Sequence, residues 1–330
     1  MALGSGLLAA SVAADIQIGT TKQPTSIRSW GGVAAFSLYD EASSSYRLVV
    51  SRQHGAPELV AVAPQAAEFD LDVGPDASGA PAIVFSRCAV QGRRPRGCDL
   101  YRYSLGTGTE SKLAGASSAH ASEYAPTIWR DRIAWARVSD TGARRLPRIY
   151  TRSLRSPLSR PSGRLPGIPS SLCGKGGCVV NELELRERRL AVNGGYPGPV
   201  CNNGQVRLDS LGGRSIQIAN TTCGLNGQSF VGVSFDARNL YFARFCVADP
   251  TCGRTGAFRY SLRSARYSLA GFGARLTGFS FNSGSRAYEV LAPDTGPNGY
   301  CGNSVEGGPL PDCRIVLSDP LVFARARAPH

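Results

Sequence analysis

Ile83-Val84-Phe85-Ser86-Arg87 returns as Ile133-Ala134-Trp135-Ala136-Arg137 and again as Leu240-Tyr241-Phe242-Ala243-Arg244. Each copy is a mostly apolar pair, an aromatic, a small residue and an arginine. Val33-Ala34-Ala35-Phe36-Ser37, Leu190-Ala191-Val192-Asn193 and Arg286-Ala287-Tyr288-Glu289 are degraded copies. A period of about fifty residues, each holding several short strand-like segments, marks a radial β-repeat. One such unit cannot bury both of its apolar faces, so the copies must pack on one another.

Working outward from the second copy, four strands can be read from hub to rim, here a to d. Phe69 to Val73 reads as strand a, Pro81 to Arg87 as b, Asp99 to Leu105 as c, and Glu110 to Leu113 as d after the turn Gly106-Thr107-Gly108. Apolar and polar residues alternate within each, with β-branched and aromatic residues enriched. The order recurs over residues 24–62, 123–166, 179–219 and 229–270, and a last copy begins near Leu276. The c strands fall at Tyr46 to Val50, Arg148 to Leu154, Gln205 to Leu211, Ala257 to Leu262 and Arg314 to Ser318. No stretch carries capped helical periodicity. The reading is all-β: a six-bladed β-propeller of four-stranded antiparallel blades.

The segment Asp99-Leu100-Tyr101-Arg102-Tyr103-Ser104-Leu105-Gly106-Thr107-Gly108 resembles the strand and turn of TolB-type six-bladed propellers. Ala125-Pro126-Thr127-Ile128 leading into Arg132-Ile133-Ala134-Trp135 resembles the same family's first hairpin, and Pro24-Thr25-Ser26-Ile27 before Val33-Ala34-Ala35-Phe36 is a second version. The family's Ser-Pro-Asp-Gly turn is absent; Arg130-Asp131-Arg132 stands there in the third repeat. The resemblance implies a ring closed by an N-terminal strand. Asp15 to Thr20 alternates correctly for that role, and Leu321 to Ala326 reads as an outer strand of the same last blade. It also implies a non-catalytic envelope or extracellular protein that binds another protein through a propeller face.

Residues 1–14 read as a signal-like or disordered segment, apolar from Leu3 and ending Ser11-Val12-Ala13-Ala14, and residues 15–330 as one propeller domain. Ten cysteines beside one methionine suggest an oxidising compartment, secreted or periplasmic. Cys88–Cys98, Cys246–Cys252 and Cys301–Cys313 each bracket a loop between two strands, and Cys173–Cys178 brackets Gly-Lys-Gly-Gly. Pairing among Cys173, Cys178, Cys201 and Cys223 stays open, Cys201 with Cys223 being the preferred last bridge. All ten fall in b–c or d–a connections, which share one face of a propeller. The close double pairs of a zinc site are missing, so no metal is assigned to them. No stretch approaches the roughly 20 apolar residues that span a bilayer.

The net charge of +13 is carried almost wholly by arginine, the lysines being Lys22, Lys112 and Lys175. It suits an anionic partner such as an extracellular acidic polymer, a membrane surface or a nucleic acid, or else reflects an arginine-biased composition spread over a solvated surface; the partner expected is a protein or an anionic extracellular polymer. Nucleic acid is not expected, because the densest basic stretch, Arg144 to Arg164, holds only Tyr150 as an aromatic. Arg87, Arg137 and Arg244 share one phase and could ring a face as anion clamps, or be solvated copies of one ancestral residue.

Counting back from each b strand places Ser26 and Arg28, Asp70 and Asp72, Thr127, Glu182 and Glu184, Ser234, and Ser280 toward the central channel. Arg28, Asp70, Asp72, Glu182 and Glu184 are therefore the candidate ligand-binding residues. Their carboxylates could hold Ca²⁺ through oxygen, or simply pair with Arg28; otherwise no cofactor is expected. No serine elbow, zinc-binding helix or phosphate loop occurs, so no catalytic residue is assigned. His54 and His120 read as exposed loop residues, and Asn220-Thr221-Thr222 is a glycosylation pattern. The expected function is a monomeric binding module. The alternative is a carbohydrate-active lyase or glycoside hydrolase using channel-mouth carboxylates such as Asp72 and Glu184.

Overall fold

Alternating strands joined by short turns stack, in the computed structural model, into six separate antiparallel sheets. The structure describes residues 15–23, 25–90, 96–140, 146–160, 162–169, 173, 177–197, 202–221, 228–246, 256–271, 275–282, 286–292, 301, 312–318 and 320–327. Strand β1 is Ile16–Thr21. Blade I is β2 (Ile27–Trp30), β3 (Val33–Asp40), β4 (Ser45–Arg52) and β5 (Glu58–Leu59). Blade II is β6 (Leu71–Pro75), β7 (Pro81–Val90), β8 (Arg96–Ser104) and β9 (Thr109–Lys112). Blade III is β10 (Ala121–Trp129), β11 (Arg132–Ser139), β12 (Arg148–Ser153) and β13 (Gly163–Leu165). Blade IV is β14 (Val179–Arg186), β15 (Arg189–Pro197), β16 (Asn202–Ser210) and β17 (Ser215–Thr221). Blade V is β18 (Gln228–Phe235), β19 (Asn239–Cys246), β20 (Gly256–Ser261) and β21 (Tyr267–Gly271), and blade VI holds β22 (Arg275–Phe281), β23 (Ala287–Ala292) and β24 (Cys313–Leu317). A last strand, β25, is Ala324–Ala326.

The apolar cores lie between blades rather than within them. Ile83, Phe85 and Phe69 of blade II pack on Leu48 and Val50 of blade I, while Trp135 and Ile133 of blade III pack on Val84 and Leu100 of blade II. Blades III and IV meet through Ile149, Leu183 and Val192, blades IV and V through Val206, Phe230 and Phe242, and blades V and VI through Tyr241, Phe279 and Phe281. Burying both faces of every sheet in this way requires the ring to close.

Closure is made by β1, which pairs antiparallel with β24 (Ile16 with Leu317, Thr21 with Cys313) as the outermost strand of blade VI. Ile18 completes the core between blades VI and I. The C-terminal segment goes elsewhere. Rather than joining blade VI, β25 pairs with β21 as a fifth strand of blade V. The edge of blade VI is already occupied by β1. Phe323 anchors the tail to blade V instead, 5.9 Å from the Tyr241 ring and beneath the Arg259 guanidinium at 4.7 Å. Among the described residues no helix is long and apolar enough to cross a membrane.

Candidate functional site

The innermost strands β2, β6, β10, β14, β18 and β22 line the axis with alternate residues, and their register stacks these into layers. The middle layer holds Arg28, Asp72, Thr127, Glu184, Ser234 and Ser280, one residue per blade. The layer below holds Asp70 and Glu182. The layer above, at the ends of the same strands, holds Trp30, Trp129 and Arg186. The two indoles meet edge to face at 6.4 Å, and Arg186 lies over Trp129 at 4.8 Å while donating to the Phe235 carbonyl at 2.9 Å. Aromatic rings and one guanidinium thus cover the carboxylates at this end of the axis.

The polar layer does structural work that the sequence did not disclose. Asp72 accepts the Ile128 amide at 3.1 Å and the Thr127 hydroxyl at 2.7 Å, and Thr127 Oγ1 in turn accepts the Leu185 amide at 2.8 Å. Glu182 accepts the Val233 amide at 3.2 Å and the Asn193 side-chain amide at 3.1 Å. Ser234 accepts the Phe281 amide at 3.0 Å, and Ser280 meets Ser29 of blade I at 2.9 Å. Asp70 accepts the Ala125 amide. Between blades I and II the Glu68 carboxyl accepts the Ser26 amide, and Ser37 Oγ accepts the Phe69 amide at 2.7 Å. From blade I through blade VI, side chains of one blade thus tie down backbone of a neighbour, and a serine pair joins blade VI to blade I. The bonds to backbone give buried amides the partners that they require.

Local irregularities set this arrangement. The pairing of inner strand with second strand slips in blades III to VI, between Tyr124 and Thr127, Val180 and Glu182, Val231 and Ser234, and Leu276 and Gly278. Bulges of this kind re-aim side chains. In blade V the bulge carries Gly232 at φ 65°, where a Cβ would overlap the Phe279 carbonyl of the next blade. Only glycine suits both conditions.

Among the described residues Arg28 is the cation paired directly with one of these acids, while Arg186 acts on Glu184 through space. Arg28 is buried and reaches Glu182 at 3.2 Å. Burial opposes its charge, but Glu182, Asp72, Glu184 and Asp70 outweigh that, leaving its pKa raised. The acids are pushed upward chiefly by desolvation: Glu68 to about 7, Asp70 to about 6, Asp72 in the same direction, and Glu184 well above the ordinary range. Glu184 is raised further by the neighbouring Asp72 carboxyl. Among the described residues no three His, Cys, Asp or Glu side chains converge as a metal site. All five candidate binding residues are brought together, and Glu68, which the sequence did not single out, joins them.

The arginine repeat is no ring of anion clamps. Arg87 lies over Tyr101 at 5.3 Å, Arg137 over Tyr150 at 4.8 Å and Arg244 over Phe258 at 5.7 Å. Each aromatic is the c-strand partner stacked on the b-strand aromatic of the repeat: Phe85 on Tyr101, Trp135 on Tyr150, Phe242 on Phe258. Arg87 also pairs with Glu110 at 3.1 Å and Arg137 with Glu123 at 2.7 Å. Their second bonds go to the Ala63 and Ala116 carbonyls, in the connections that enter the same blades. The repeated residue is a cation–π cap and latch, not a solvated charge.

Antiparallel order puts the a–b and c–d turns of every blade at one end of the ring and the b–c and d–a connections at the other. Cys88–Cys98 and Cys301–Cys313 close b–c connections, and Cys173–Cys178 a d–a connection. These three bridges share one face. Cys201, Cys223, the Cys246 side chain and Cys252 lie outside the described residues, as do residues 1–14. His54 is not a free loop residue: its Nδ1 meets the Tyr288 hydroxyl at 2.8 Å, joining blades I and VI. His120 is exposed, and Asn220 and Thr221 of the glycosylation pattern lie on the rim strand β17, Thr222 being outside the described residues.

The buried acids make stability depend on pH in a definite sense. Glu289 is pushed up to about 8, chiefly by burial and further by Asp15, and Glu123 to about 7, chiefly by burial. With Glu68 and Asp70, these groups keep protons in the folded protein that the unfolded chain releases near pH 4. Their stabilising contribution is complete below the unfolded value and is lost as pH rises through about 6 to 8. Asp40, Asp76 and Asp236 have lowered values and act oppositely, losing their contribution in acid. Thermal unfolding should therefore peak near pH 5 and fall by pH 8.5. Glu289→Gln should recover part of the alkaline loss and leave pH 5 nearly unchanged. A melting temperature that climbs steadily from pH 5 to 8.5 would refute this account.

No protein-family model matches the chain, and no curated protein sequence matches it. Solved structures do. An oligogalacturonate lyase from Vibrio parahaemolyticus superposes with a TM-score of 0.52 at 7% identity, over 94% of this chain and 78% of that one. The protein YjhT gives a TM-score of 0.52 at 7% identity, over 93% and 99%. TolB from Acinetobacter baumannii gives 0.46 at 13% identity, over 91% and 67%. The chain spans 26% of the tricorn protease and 39% of a prolyl endopeptidase that also resemble it. At such identities the likeness speaks for the fold alone. The six-bladed propeller implied by the sequence resemblance is the fold observed.

Proposed function

We propose that this protein is a non-catalytic binding module of the secreted or periplasmic space, whose disulfide-stapled face engages another protein. The observation that carries the reading is the placement of Cys88–Cys98, Cys173–Cys178 and Cys301–Cys313 in connections of one face. Bridges that close loops of this length stabilise them by about 2–3 kcal/mol each, and rigid loops lose less entropy when a partner orders them. The channel supports the same reading from the opposite side. Its carboxylates are engaged in inter-blade bonds, which leaves them as parts of the hub rather than as acid and base. The carbohydrate-active alternative draws on those same carboxylates and on a fold shared with an oligogalacturonate lyase, and it is disfavoured by the commitment of Asp72 to the Thr127 hydroxyl and the Ile128 amide.

The test is photocrosslinking in the native extracellular fraction, with the photoreactive group at Arg148 on the stapled face or at Arg214 on the opposite face. The Arg148 probe should capture one partner reproducibly. Cys88→Ala/Cys98→Ala should reduce that capture at least fivefold while the melt stays cooperative. Equal capture from both probes would refute the face assignment. Depolymerisation of an acidic glycan, abolished by Asp72→Asn, would replace the binding reading with the enzymatic one.

A further inference from the structure

Among the described residues, exposed arginine without an acidic partner is concentrated at one end of two neighbouring blades. Toward the stapled end Arg47 pairs with Asp40 at 3.0 Å, Lys112 with Asp99, Arg87 with Glu110 and Arg137 with Glu123, while Arg96, Arg148 and Arg314 stand exposed and apart from one another on blades II, III and VI. The opposite end of blades IV and V differs. There the a–b turn of each blade is tied to its c–d turn by one backbone bond, Leu211 N to Arg188 O and Leu262 N to Arg238 O, both 2.9 Å. The bond sets two arginine-bearing turns side by side. Blade IV presents Arg188, Arg189 and Arg214; blade V presents Arg238, Arg263 and Arg266. All six are exposed, and among the described residues none of them forms an ion pair with an acid.

Only two acids share these turns. Asp236 is already committed, accepting from the Tyr241 hydroxyl at 2.6 Å, the Arg238 amide at 2.6 Å and the Asn239 amide at 2.7 Å. Glu187 is the other. The two sets of turns lie at the same end of neighbouring blades, which Arg186 ties together at their inner ends by donating to the Phe235 carbonyl, and together they make up one arginine-bearing strip. We propose that this strip is a docking surface for a linear acidic polysaccharide, a polymer carrying carboxylate or sulfate groups.

Arginine rather than lysine suits such groups because its planar fork binds both oxygens of a carboxylate or sulfate. The turn tips themselves discriminate among polyanions. They carry Gly212, Gly213, Ser264 and Ala265 between the arginines, so there is no apolar wedge to enter a lipid surface. No aromatic stands in either pair of turns for a nucleic-acid base to stack on. An acidic protein partner would need an apolar centre that these turns lack. What remains is a repeated charge read by repeated guanidinium groups. This site lies on the face opposite the one proposed to bind protein, so the two inferences stand or fall separately.

The test uses the full chain and fluorescence anisotropy with labelled heparin and labelled polygalacturonate at 50 and 200 mM salt. Arg188→Gln/Arg214→Gln/Arg266→Gln is compared with Arg96→Gln/Arg148→Gln/Arg314→Gln, three exposed arginines of the stapled end. Both variants lose the same formal charge, and cooperative melting verifies that each is folded. The first should bind at least one polymer about tenfold more weakly, as expected for three exposed charge contacts, with a shallower salt dependence. The second should stay within twofold of the parent. Equal losses in both variants, no binding of either polymer by the parent, or tighter binding to anionic vesicles or DNA than to the glycans would each overturn the proposal. Photocrosslinking from Arg148 reports on the stapled face independently of all these outcomes.

Discussion

Removing residues 15–21 should leave a chain that no longer unfolds as one cooperative unit. Strand β1 contributes the outer ladder of blade VI, five paired positions against β24, and seats Ile18 in the core between the first and last blades. Hydrogen bonds of this sort contribute about 1 kcal/mol each and a buried isoleucine about 2 kcal/mol. The ordering of a short strand offsets part of that gain. Loss of the strand also uncovers the backbone edge of β24, beside buried Ile315, Val316 and Leu317. An uncovered apolar edge invites pairing between chains. The truncated protein should therefore melt at least 10 °C lower, a drop of several kcal/mol, and should aggregate on warming. Removal of residues 321–330 should be far milder, because blade V keeps its four strands without β25. Calorimetry of the two truncations side by side decides the matter. If the C-terminal deletion proves the more damaging, β1 is not the closing strand.

The contrast between these two termini shows what the sequence disclosed and what it withheld. The b-strand repeat was legible because its cause is local: Phe85, Trp135 and Phe242 each fill the same slot between blades. Alternation then carried the register back to Arg28, Asp72 and Glu184, since a pleated strand allows only two faces. The fate of β25 was not legible. Three residues hold no periodic signal, and the choice between blades turned on the Phe323 contacts. The hub latch was hidden for another reason. Asp72 meets Thr127 at 55 positions' separation and Thr127 meets Leu185 at 58, so no pattern within one repeat reveals the bond. The arginine repeat was visible as charge, but its destination required knowing that Tyr101, Tyr150 and Phe258 stand opposite. In both cases the sequence showed residue types at the right phase, and the packing of neighbouring strands decided their use.

Arg28→Met should cost about 3–5 kcal/mol at pH 8, the loss typical when one member of a buried ion pair is removed. Methionine keeps much of the volume, so the effect measures charge more than cavity. The arginine faces Glu182 at 3.2 Å and is held charged by Asp72, Glu184 and Asp70 as well. Without it, those carboxylates must stay ionised in a buried hub or take up protons. Uptake becomes easier in acid, so the penalty should shrink to less than half at pH 5. Arg28→Met/Glu182→Gln should recover part of the stability at pH 8, because the acid left unpaired by the first change is then neutral. Guanidinium unfolding of both variants at the two pH values supplies the comparison. A small penalty that is equal at pH 5 and pH 8 would mean that Arg28 does not neutralise the hub. The carboxylates would then owe their tolerance to proton uptake alone, in the direction that burial already pushes Asp70, Asp72 and Glu184.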